Sequence, residues 1–180
     1  KIFINSPNLN IGGVDFKNVK FSYLNSEYHL TAETENEEIS NVVFATPKEY
    51  QYLYEDHEIS GEISANILII KKNDFENPYS KIDFTLNNSK YKSKIHPFEL
   101  ENISSDCHFN NGSERSFATT KFYFYDFKSS KKEGYFNGNF ILTNLNKHYL
   151  NADMVSSWGL SELNDFIEDS PFENLKGTLS

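Results

Sequence analysis

The chain has 180 residues, 26 acidic against 17 basic side chains, a net charge of −9, 16% aromatic residues and one cysteine. That balance excludes the basic stripe that nucleic-acid phosphates require, and the lone Cys107 excludes an internal disulfide. No apolar run exceeds four residues, so no segment reads as a transmembrane helix, and a chain of this size is expected to fold as one compact domain over 1–180 without a staple.

In chain order, apolar–polar alternation predicts strands at 18–25 and 27–34. The run Glu33-Thr34-Glu35-Asn36-Glu37-Glu38 follows as an acidic loop. It lacks the Asp-rich, glycine-containing spacing of a calcium loop and suits a basic partner instead. A strand is expected at 45–55, with Tyr50, Tyr52 and Tyr54 on one face. Thr46-Pro47-Lys48-Glu49 competes there as a helix capping box. The next strand, 58–71, places Ile59, Gly61, Ile63, Ala65, Ile67 and Ile69 inward and Ser60, Glu62, Ser64 and Asn66 outward. A hairpin tip of Glu55-Asp56-His57-Glu58 between these strands puts Tyr54 opposite Gly61 and Tyr50 opposite Ala65, rings over small partners.

Strands at 81–88 and 90–96 come next, then a long loop, Lys94–Ser116, then strands at 117–127 and 134–143. The later strands echo the earlier ones. Val43–Ile69 matches Ser116–Leu142 with eight identities in 27 positions at an offset of 73, and Val19–Tyr28 matches Ile82–Tyr91 at an offset of 63. Self-similarity in consistent order is the mark of an internal repeat, here about 14–72 and 78–145. The expected fold is therefore all-β: an eight-stranded antiparallel sandwich or flattened barrel built from two tandem four-stranded repeats. The second hairpin places Phe127 opposite Gly134 and Tyr123 opposite Gly138, with Tyr123, Tyr125 and Phe127 on one face. The tail 146–180 reads as short C-terminal helices at 160–168 and 171–176, docked on the strands with Trp158 as anchor.

Residues shared by both copies serve the scaffold, so function is sought where the copies diverge. The acidic loop supplies Glu33, Glu35, Glu37 and Glu38 as partner-binding candidates. The hairpin tip supplies Glu55, Asp56 and Glu58, opposite in charge to the Lys128–Glu133 tip of the second copy, a contrast that also permits self-association. The long loop supplies His96 and His108 as binding candidates. Asp106-Cys107-His108 is a poor catalytic triad, because neighbours on an extended chain point to opposite faces and the thiol would need His96, His57 or His148 across space. One cysteine with scattered histidines has no zinc-ligand spacing. No catalytic residue, metal site or cofactor is assigned.

The leading expectation is a non-catalytic binding protein of a bacterium or phage that engages a protein partner, a basic one suiting its acidity. An immunity or inhibitor protein is the sharpest version. The alternatives are an exported, lipid-anchored periplasmic or surface module binding glycan or envelope components, and an enzyme with an unfamiliar site. The chain starts at Lys1 rather than Met, so a removed leader or anchor is expected, which favours a periplasmic or cell-surface lipoprotein over a cytoplasmic protein.

Overall fold

A computed structural model of the chain describes residues 1–45, 54–95, 98–131, 134–159 and 178–179. They form a nearly all-antiparallel β structure with one short helix. The elements are β1 (Ile2–Ile11), β2 (Val14–Leu24), β3 (Glu27–Glu38), α1 (Ile39–Ala45), β4 (His57–Lys72), β5 (Tyr79–Ser93), β6 (Glu99–Asn110), β7 (Lys121–Lys131), β8 (Gly134–Thr143), β9 (Tyr149–Gly159) and β10 (Thr178–Leu179). Each strand pairs with its sequence neighbours, so β1–β9 make one open meander, and β10 adds two residues beside β9.

Two of the turns follow directly from local chemistry. Gly12-Gly13 joins β1 to β2 and Asn25-Ser26 joins β2 to β3, each a two-residue connection with positive φ at both residues. Such turns match the twist of the strands they join. Pro7, which has no N–H to donate, sits in the outer strand β1 between the pairs Ser6–Val19 and Asn8–Lys17.

Register separates the sheet into two unlike faces. One cross-strand row runs Ala32, Ile67, Ile82, Phe109, Phe122, Leu142, Leu150, entirely apolar over seven strands. The row next to it but on the opposite face runs Lys17, Glu33, Asn66, Asp83, His108, Tyr123, Ile141, Asn151. On the apolar side Leu100, Ile103 and Phe127 form a buried cluster, with Leu86, Tyr91, Phe98, Phe136, Phe140 and Met154 packed around it.

Seven consecutive strands each carry one mid-strand residue at positive φ: Asn18 on β2, Asn36 on β3, Gly61 on β4, Asn88 on β5, Asn102 on β6, Asp126 on β7 and Gly138 on β8. Asn, Asp and Gly are the residues that tolerate this conformation. Each lies beside a shift in register, the signature of a β-bulge; the extra residue belongs to β2, β3, β5, β6 or β7, and Gly61 and Gly138 lie on the strand facing one. At Gly138 a Cβ would lie 2.7 Å from the Met154 Cα and overlap the Asp153 carbonyl oxygen; at Gly61 it would overlap the Ser89 Cα.

The bulges correct several expectations. Strict alternation puts Tyr123, Tyr125 and Phe127 on one face, but the extra residue at Asp126 inverts the order. Phe122, Phe124 and Phe127 face the apolar side, while Tyr123 and Tyr125 face the polar side. The β7–β8 hairpin forms in a different register from that expected: Phe127 opposes Gly138, Tyr123 opposes Ile141, and Gly134 opposes Lys131. The strands expected at 81–88 and 90–96 are one continuous β5, bulged at Asn88. The long loop 94–116 contains β6, whose inward positions carry small Ser105 and Cys107 and whose period slips at Asn102.

The acidic loop is instead the end of β3, carried through a bulge at Asn36. Residues 39–45 are helical and Tyr54 lies in the turn before β4, so the strand expected at 45–55 does not form in its described part. Gly61 neighbours Ser89 on β5, not Tyr54. Strands β1, β6 and β9 were not anticipated. Among the described residues the strands form one open sheet rather than the expected sandwich or flattened barrel, because the same hairpins that pair successive strands can also line them up side by side. Pro47, Tyr50, Tyr52, His96 and the expected helices at 160–168 and 171–176 lie outside the described residues.

Candidate binding face

The polar face is centred on Asp83 of β5 and His108 of β6, directly opposed across the two strands. His108 Nδ1 lies 2.5 Å from Asp83 Oδ1, and Lys81 Nζ lies 2.8 Å from Asp83 Oδ2. The Lys81 hydrogen bond, with help from His108 and against partial burial, holds the Asp83 carboxyl below its ordinary value of 3.8. The same contact raises the Lys81 ammonium. The His108 ring packs edge-on to Tyr125, with centroids 5.6 Å apart.

A depression of about 380 Å³ opens beside this pair, lined by Glu33, Glu35, Ser64, Asn66, Asp83, Asp106 and His108 among others. Four carboxylates therefore meet one hollow. Two are tied to the neighbouring strand: Glu33 accepts from Asn18 Nδ2 at 2.7 Å, and Glu35 is 2.5 Å from Lys17 Nζ. That contact with Glu35 raises the Lys17 ammonium. Ser64 Oγ accepts from the backbone N–H of Asn36 at 3.0 Å, anchoring the β3 bulge to the floor of the hollow.

An aromatic strip borders the hollow on β7. The Tyr123 and Tyr125 rings lie 6.1 Å apart and 13° from parallel, and Tyr125 is 40% exposed. A second hollow of about 300 Å³ continues the strip toward Ile141, Tyr149 and Asn151.

The candidates named from sequence divide into three groups. Glu33, Glu35 and His108 come together at the first hollow. Glu37 and Glu38 accept backbone N–H groups instead, from Asp15 and Gly61, each at 3.1 Å. Glu55 and Asp56 cap the turn before β4 through their backbone carbonyls, which accept from the Lys94 ammonium at 2.8 Å and the Lys94 N–H at 2.9 Å. Glu58 lies 4.0 Å from Lys92. Asp83, Lys81, Asp106, Tyr123 and Tyr125 were missed, since each becomes a neighbour of His108 only once β6 is recognised as a strand.

Cys107 and His108 point to opposite faces. Burial pushes the Cys107 thiol up to about 11, so it carries no thiolate near neutral pH. Among the described residues, no group of three or more His, Cys, Asp or Glu is placed to hold a metal ion, and no helix is long and apolar enough to cross a membrane. The chain matches no family model, and neither a curated protein nor a solved structure is significantly similar to it.

Proposed function

We propose that the chain is a non-catalytic binding protein whose polar face receives a basic segment of a protein partner, as an immunity or inhibitor protein would. The observation that carries this reading is the convergence of Glu33, Glu35, Asp83 and Asp106 on one hollow beside the exposed Tyr123–Tyr125 strip. Carboxylates in a concave site attract a Lys- or Arg-bearing segment and speed its arrival. Tyrosine faces add stacking and cation–π contacts to arginine. A sheet fixes all of these groups in place, so little ordering cost is added on binding.

The experiment is affinity capture with the purified chain, followed by mass spectrometry, repeated with Glu35→Lys plus Asp106→Lys and with Tyr125→Ala. Capture that falls by at least about tenfold in the charge-reversed variant and weakens with salt supports the reading. Undiminished capture overturns it. A second reading rests on the near-parallel Tyr123 and Tyr125 rings flanked by Asn139 and Asn151, an arrangement suited to stacking on sugar rings. It is the case of a glycan-binding surface module, and it predicts salt-insensitive retention on polysaccharide that Tyr125→Ala abolishes.

A further inference from the structure

The four carboxylates of the first hollow are not equivalent. Glu35 is held by Lys17, Asp83 by Lys81 and His108, and Glu33 accepts from the Asn18 amide. Among the described residues no donor or cation engages the side chain of Asp106, which stands exposed on β6. Its cross-strand neighbour on β7 is Tyr125, 40% exposed. A free carboxylate beside an open ring matches the two recognition surfaces of a guanidinium. The edge of that group donates two parallel hydrogen bonds, and its plane stacks on an aromatic face. A lysine ammonium brings the charge without the plane.

The second hollow has the opposite character. It lies on the same face, where Tyr123 and Ile141 continue the row of His108. Ile141 and Tyr149 line it, Tyr149 being 61% exposed, and Lys121 stands beside them. A basic residue is repelled there, while an apolar one finds aliphatic and aromatic surface. Strands about 4.8 Å apart and a rise of about 3.3 Å per residue set the two seats on the order of 12 Å apart. An extended segment covers that in about four residues, an even step that keeps both side chains on one side.

We infer that the partner segment is read at two points, an arginine at Asp106 and Tyr125 and an apolar side chain at Ile141 and Tyr149, about four residues apart in an extended chain. This rests on the binding role proposed above and adds what that role leaves open: arginine rather than lysine, and a set spacing.

Selection of random displayed peptides on the purified chain tests it. The expected consensus is an arginine with leucine, isoleucine or phenylalanine about four positions away. In fluorescence anisotropy, exchanging that arginine for lysine weakens the selected peptide about tenfold, and Tyr125→Leu brings the two peptides to equal affinity. Asp106→Asn and Tyr149→Ala each weaken it about tenfold, with circular dichroism as the check on folding. A consensus of basic residues without a set spacing, or one in which lysine serves as well as arginine, overturns the inference and leaves the acidic binding role standing. A consensus without a basic residue, or no enrichment at all, overturns both. A selected peptide indifferent to Asp106→Asn and Tyr149→Ala binds elsewhere, which also overturns the inference.

Discussion

Asn139 on β8 accepts the backbone N–H of Asp126, the left-handed residue of β7, through its side-chain oxygen at 3.0 Å. A bulge leaves a backbone group outside the ladder, and this amide supplies the missing acceptor.

Asn139→Ala should therefore lower stability by about 1 kcal/mol, while Asn139→Asp, which keeps an acceptor, should lose less. Urea denaturation followed by tyrosine fluorescence checks both. Asp126→Val should cost more than either, since a β-branched residue at φ 49° is strained.

Gly138→Ala and Gly61→Ala should each destabilise by roughly 3 kcal/mol or more, because the added methyl meets backbone atoms of the adjoining strand at a φ that side chains avoid. Gly13→Ala makes a fair comparison: its φ is also positive, but nothing lies within 4 Å of the added carbon. The midpoint shifts of the three variants should fall in that order.

Cys107 should resist thiol reagents in the folded chain and react freely in urea. Its thiol is raised from an ordinary 9.0 to about 11, so the unfolded chain ionises first as pH rises. The stability this burial preserves is intact below pH 9 and declines by about 2–3 kcal/mol between 9 and 11. Cys107→Ala should flatten that decline.

Asp83 gives the opposite slope. Its carboxyl is held below 3.8 by Lys81 and His108, so its contribution is present above that value and disappears as acid carries the folded chain through its depressed titration. Asp83→Asn should cost roughly 0.5 kcal/mol at pH 7 and nothing once the wild-type carboxyl is protonated. Unfolding midpoints of the two proteins across pH 2–7 check it.

How much of this was legible in the sequence depended on unbroken alternation. The strand Glu58–Lys71 was readable because its inward residues are aliphatic for most of its length, and β4 adds only one residue at each end. The segment Glu99–Asn110 was not readable, because Ser105 and Cys107 are small inward residues and Asn102 shifts the period. The same kind of slip at Asp126 reversed the faces of Tyr123 and Tyr125 and hid the aromatic strip. Asn residues carry the bulges, but they also fill turns throughout this chain, so composition alone could not separate the two uses. Of the hollow, Glu33, Glu35 and His108 were named in advance, while Asp83 required the cross-strand register.

The meander has a mechanical consequence. Among the described residues each strand hydrogen-bonds only to the strands before and after it, so its ladder can grow one hairpin at a time without first pairing distant segments. Stability is therefore transmitted stepwise, as in a linear array. Unzipping should begin at the β1 margin and travel inward, with amide exchange fastest there and slowest at β5 and β6.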